Sequence, residues 1–117
     1  MSLKNWKTCL IDVSQNLSDA ISKLEISDQK ILLVTKNDNL LVGTITDGDI
    51  RRAILTGIGM GENIEKVANK KPVYVHENTP THEINKIMKE KGIFQIPICN
   101  KNKKVIGLKS SLDDSSV

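Results

Sequence analysis

A chain of 117 residues with 17 Lys and Arg against 14 Asp and Glu has room for one small domain, or two very small repeats, around a modest core. Its 38% hydrophobic and 26% charged content is that of a globular protein, no stretch approaches the roughly 20 apolar residues of a membrane span, and a cytoplasmic location without membrane contact is expected. The net charge of +3 does not indicate nucleic acid, because the bases are scattered among acids and aromatics are only 3%, too few for a stacking platform.

From the N-terminus, Trp6 is expected to anchor a polar lead on the core. Residues 9–13 read as a short strand, and residues 16–24 as a helix with Leu17, Ala20, Ile21 and Leu24 on one face and Ser14 or Asn16 as cap. Residues 30–35 and 40–45 are apolar strands joined by the polar turn Lys36-Asn37-Asp38-Asn39, a hairpin. A helix then runs from Asp47 to Thr56, with Ile50, Ala53 and Ile54 on one face and Gly57 as its stop.

The junction between that last strand and helix carries the chemistry. Thr46 near the N-cap and Asp49 in the first turn put a hydroxyl and a carboxylate beside the free backbone N–H groups at the positive end of the helix dipole. Hydroxyl and amides suit phosphate oxygens, and the carboxylate suits the two hydroxyls of a sugar. The same residues also spell a capping box, which needs no ligand.

After Thr56 comes Gly57-Ile58-Gly59-Met60-Gly61, whose glycines follow a helix instead of a strand and miss the G-x-G-x-x-G spacing. This is a linker, with a short amphipathic helix expected over residues 63–69 through Ile64, Val67 and Ala68. The first order then returns: residues 72–76 extended, 79–91 helical through Ile84, Ile87 and Met88, strand 94–99, turn 100–103, strand 104–108. A shift of 64 lays Gly43 on Gly107, Thr46 on Ser110 and Asp49 on Asp113 without a gap. A cap alone has no reason to recur with its glycine, hairpin and preceding helix, so this is an internal repeat whose halves should share a buried face. The expected division is a first repeat with its lead over 1–58, a linker over 59–71 and a second repeat over 72–117, whose last helix reads as cut short, as in a piece of a longer protein. Cys9 and Cys99, far apart and in apolar surroundings, read as reduced core thiols. His76 and His82 read as surface residues, and no metal site is expected.

With the doubled Gly-x-x-Thr/Ser-x-x-Asp ending, the repeated element order and the Ile96-Pro97-Ile98 strand, the chain resembles a tandem pair of cystathionine β-synthase (CBS) domains, a Bateman module. The resemblance implies an α+β fold of two β-α-β-β-α repeats packed pseudo-symmetrically through three-stranded sheets, with adenine nucleotides in two clefts between them. It implies that Asp49 and Asp113 hold ribose and that Thr46 and Ser110 meet phosphate, with Lys30, Arg51 and Arg52 as further cations of the first cleft. The place of Lys30 is taken in the second repeat by Phe94 and Gln95, expected near adenine, as are Val73 and Tyr74 in the first cleft and Cys9 and Leu10 in the second. The implied function is regulatory and non-catalytic: AMP, ADP or ATP as effector with no required cofactor, a homodimer of modules, and an attached catalytic domain. The run Thr46-Asp47-Gly48-Asp49-Ile50-Arg51-Arg52 is similar to CBS pairs preceding a sugar nucleotidyltransferase, the alternative being the regulatory part of a sugar-phosphate isomerase. A dimerisation module with empty clefts stays open. A small hydrolase using Asp47, Asp49 and a histidine is disfavoured, because no nucleophile has an adjacent base.

Overall fold

In the computed structural model, which describes residues 6–111, a 3-10 turn at Trp6–Cys9 leads into β1 (Leu10–Asp12), α1 (Leu17–Ile26), β2 (Leu32–Lys36), β3 (Leu40–Ile45) and α2 (Asp47–Leu55). A second 3-10 turn, Ile64–Lys66, precedes β4 (Val75–His76), α3 (Thr81–Lys91), β5 (Gln95–Cys99) and β6 (Val105–Ser110). The strands form two three-stranded sheets, β1-β2-β3 and β4-β5-β6, each with one parallel and one antiparallel pair. This is the α+β architecture expected of the repeat.

The register repeats as well as the order. Ile11 pairs with Val34, and Val34 with Gly43; 64 residues on, Val75 pairs with Ile98, and Ile98 with Gly107. Even the irregularity recurs, between Val34 and Thr35 and between Ile98 and Cys99.

Strand β2 is buried from Leu32 to Thr35 because both its faces are covered. Leu32 and Val34 pack with Ile11 and Ile45 against Leu17, Ala20 and Leu24 of α1 and Ala53 of α2. Leu33, with Ile31 and Leu41, packs the other way, onto Cys99 and Val105 of the second repeat, with Tyr74 and Leu108 at the margin. A third cluster, Val75, Ile84, Met88 and Ile96, seats α3 on its own sheet. The shared face is the central one of three cores, and Trp6 packs against it.

Local chemistry fixes the element ends. Asn16 caps α1: its side chain accepts from Asp19 N at 2.9 Å, and Asp19 accepts from Asn16 N at 3.1 Å. Helix α3 ends on Gly92 in the left-handed region (φ 66°), where glycine carries no Cβ penalty. The tip of the first hairpin passes through the same region at Asn37, Asp38 and Asn39, residue types that tolerate it best among those with side chains.

Two expectations are corrected. The helix over 63–69 is a single 3-10 turn, because the chain is drawn out to pair with β3: Thr44 N donates to Asn69 O at 3.1 Å and Asn69 N to Thr44 O at 2.8 Å. The strand expected from residue 30 begins at Leu32, since Lys30 takes φ 60° and cannot belong to a strand. No described helix is long and apolar enough to cross a membrane.

Cys9 and Cys99 are free, buried thiols. Burial raises both, Cys99 from the ordinary 9.0 to about 11, because the thiolate would lose its water. The folded state therefore favours the protonated form. Stability from this source is full below pH 9 and falls as pH rises through 9 to 11. We expect native protein to resist a disulfide-exchange reagent at pH 8 and to release two thiols per chain on denaturation; rapid labelling of the native chain would refute this.

Candidate functional site

Strand β3 delivers the chain to Thr46 in an extended conformation (φ −124°, ψ 175°), and α2 starts at the next residue. Ile50 N closes the first helical bond, onto Thr46 O at 3.1 Å. The amides of Asp47, Gly48 and Asp49 thus lie in the first turn, which offers N–H groups to an anion. Asp49 turns back on the cap: its Oδ2 accepts from Thr46 N at 2.9 Å and from Thr46 Oγ1 at 3.1 Å. With its proton directed at the carboxylate, the Thr46 hydroxyl keeps its lone pairs for another donor. The other Asp49 oxygen, Oδ1, accepts from Arg52 Nη2 one turn along the helix.

Thr46, Asp49 and Arg52 open onto a cleft of about 370 Å³. Its walls come from both repeats: Ile31 and Thr44 from the first, Asn69 from the linker, and Val73, Ile93, Phe94, Gln95 and Pro97 from the second. A groove of about 390 Å³ adjoins it through Thr46, Phe94 and Gln95 and runs past Gly48 to Lys30 and Ser111. Apolar walls with a few convergent polar groups are the features that small-molecule sites share.

Of the residues singled out in sequence, the structure brings Thr46, Asp49, Arg52, Val73, Phe94 and Gln95 to one cleft, and Lys30 to its neighbouring groove. Lys30 also borders a hollow it shares with Glu25 and Asp47, so acids stand near it. Arg51 is exposed and is not part of either lining. Tyr74 lies against the shared core, its ring 6.0 Å from that of His76 and 5.5 Å from Lys103 Nζ. Cys9 is fully buried with Sγ 3.3 Å from Ser27 Oγ, and Leu10 packs beside it. Ser110 is buried at the end of β6, paired with Gln95. Asp113, and the last helix read as cut short, lie outside the described residues.

Sequence reasoning did not place Ile31, Thr44, Asn69, Gly92, Ile93 and Pro97 in the site, although Pro97 stood out as part of the Ile96-Pro97-Ile98 strand. Thr44 was within reach, two residues before Thr46 on a strand whose alternate side chains share a face. Asn69 carried no such signal, since only the linker's pairing with β3 brings it there.

A family model for the CBS domain matches residues 10–56 and again 64–108. A probable arabinose 5-phosphate isomerase of Haemophilus influenzae is 33% identical over 97 residues, 80% of this chain but 28% of that protein. The chain spans less than a third of the length of the curated relatives it matches. Among solved structures, a CBS domain protein from Pyrobaculum aerophilum complexed with AMP superposes with a TM-score of 0.78 at 21% identity, covering 89% of this chain and 80% of that one. The CBS domain pair of protein MJ0100, in complex with 5′-methylthioadenosine and S-adenosyl-L-methionine, gives 0.77 at 22% identity, covering 92% and 87%. Repeated register, doubled motif and the two matched segments lead to one conclusion: this chain belongs to the CBS domain family, as a tandem pair.

Proposed function

We propose that the chain is a regulatory module that binds an adenine nucleotide in the cleft between its repeats and performs no chemistry itself. One observation carries this reading: among the described residues the charged side chains lining that cleft are Asp49 and Arg52, which sit with Thr46 at a helix N-terminus, facing apolar residues of the other repeat. In this arrangement Asp49 accepts from the ribose hydroxyls, the first-turn amides donate to phosphate, the Thr46 hydroxyl turns from Asp49 to donate to it as well, and Val73, Ile31 and Pro97 flank the base. The AMP and S-adenosyl-L-methionine complexes of the related structures support an adenine ligand. Asp113 and Ser110 are proposed for the corresponding second cleft, beside Cys9 and Leu10, and Lys30 and Arg51 as outlying cations of the first.

Because the cleft is walled by both repeats, occupancy biases how they pack, and an attached domain reads that bias. Coupling of this kind is worth about 1–3 kcal/mol and is reciprocal between effector and substrate. The Thr46–Arg52 run supports a sugar nucleotidyltransferase as the attached domain. The Haemophilus relative supports the alternative, a sugar-phosphate isomerase. Modules are proposed to pair as homodimers.

The test is isothermal titration of the chain with AMP, ADP and ATP, repeated on Asp49→Ala. Saturable binding that vanishes in the variant, with the circular dichroism spectrum kept and at most about 0.5–2 kcal/mol of cap stability lost, is the expected result. No heat with any of the three, from folded protein, would favour a dimerisation module instead.

A further inference from the structure

The Asp49 carboxylate is already engaged before any ligand arrives. Its side chain is only 12% exposed; Oδ2 is held by Thr46 N–H and hydroxyl, and Oδ1 by the guanidinium of Arg52, a side chain 70% exposed. The two acceptors differ in what displacing their partners costs. The Thr46 N–H bond is local to the helix cap and stays with the fold. The Arg52 bond is made by a long, solvated side chain that reaches back over the first turn, within 3.5 Å of where a Gly48 Cβ would stand. Oδ1 is therefore the acceptor that a ligand hydroxyl takes over, and Arg52 is the group it displaces.

Arg52 is also placed to be recaptured. It borders the main cleft and, on its far side, a hollow of about 170 Å³ edged by Thr56 and Lys66. Lys66 is itself paired with Glu62, its Nζ 2.6 Å from Oε1. Among the described residues the released guanidinium thus finds no second carboxylate in the cleft lining, and a ligand's own anionic group is the partner within its reach.

We propose that Arg52 is the specificity residue of this cleft, favouring phosphorylated over unphosphorylated nucleosides by exchanging Asp49 for the ligand's phosphate. A neutral nucleoside offers hydroxyls to Asp49 but leaves the displaced guanidinium with water alone. A nucleotide supplies both halves of the exchange. The inference rests on the ribose reading of Asp49 given above. It differs in kind from a simple phosphate contact: Arg52 opposes the nucleoside as well as helping the nucleotide.

Titration of wild type, Arg52→Gln and Arg52→Lys with AMP and with adenosine tests it. In Arg52→Gln, adenosine should bind as well as or better than to wild type while AMP weakens, so that the AMP-to-adenosine affinity ratio falls by about tenfold, the scale of one charge-assisted bond. Arg52→Lys should restore part of the ratio, and added salt should lower it in wild type more than in Arg52→Gln. An unchanged ratio, with both ligands bound by wild type and lost in Asp49→Ala, would overturn the role of Arg52 and leave the nucleotide site standing. A parallel loss of both ligands in Arg52→Gln would make Arg52 merely structural and equally overturn it. Failure of wild type to bind either ligand would overturn the site and this inference together.

Discussion

Replacing Gly43 by alanine is expected to be among the most damaging single-methyl additions in this chain, whereas the same change at Gly107 should pass almost unnoticed. A Cβ on Gly43 would lie 2.7 Å from Asn69 O and 3.2 Å from Ala68 Cβ. The nearer atom is backbone, fixed by the paired bonds between Thr44 and Asn69, so relief requires moving the linker off β3. Among the described residues, a Cβ on Gly107 meets only the Ile98 side chain, at 3.8 Å. Overpacking of a fixed site costs about 1–3 kcal/mol, and the pair of linker bonds is at risk as well. Denaturant titration should show Gly43→Ala losing about 2 kcal/mol or more and Gly107→Ala within about 0.5 kcal/mol of wild type. Nucleotide affinity should fall only in Gly43→Ala, since Asn69 forms part of the cleft wall. Equal losses at the two positions would contradict the linker contact.

Leu33→Ala is expected to produce the other large effect. Leu33 is fully buried in the shared core, against Cys99 and Val105 of the second repeat, and truncating such a leucine costs about 2–5 kcal/mol by lost burial and residual cavity. Against a total stability of about 5–15 kcal/mol this is a large share. Leu32→Ala, one residue away, removes the same volume from the core under α1 and α2. The two variants should therefore be similarly destabilised in denaturant titrations but differ in function. Leu33→Ala loosens the seam between the repeats, where the cleft lies, and should weaken nucleotide binding more than Leu32→Ala does. Equal binding by the two at matched folded fraction would argue against the seam as the source of cleft geometry.

Much of this arrangement was legible in the sequence because duplication supplied a control for every local reading. Residues 40–45 were placed as a strand and are one, and the offset of 64 laid Gly43 on Gly107 before any register was visible. Thr46 and Asp49 could be read both as a cap and as ligand groups, and in the structure they are a cap that opens onto a cleft. What escaped was set by contacts without periodicity. Residues 63–69 have the apolar spacing of a helix, but Asn69 gains two backbone bonds by pairing with Thr44, and tertiary pairing overrides propensity. Lys30 read as a strand residue because its neighbours are β-branched or Leu, and nothing in that run signals a left-handed backbone. The Asp49–Arg52 pair follows i,i+3 spacing and was open to inspection, but the acceptor it uses was not.

The tips of the two hairpins hold one another by a pair of backbone bonds: Leu41 N donates to Lys103 O at 3.0 Å, and Val105 N donates to Asn39 O at 2.9 Å. Adding 64 to the first donor's number and subtracting 64 from its acceptor's turns one bond into the other, and Leu40 bridges Lys104, its own counterpart. Such a contact is isologous: it is what two copies of one half would make about a two-fold axis. The chain is in that sense a dimer tied into a single molecule. Its linker raises the effective concentration of one half for the other to about the millimolar range, so a modest interface stays closed at any dilution. That tie also frees the halves to diverge, because a substitution on one side, such as Lys30 opposite Phe94, is no longer imposed on the other.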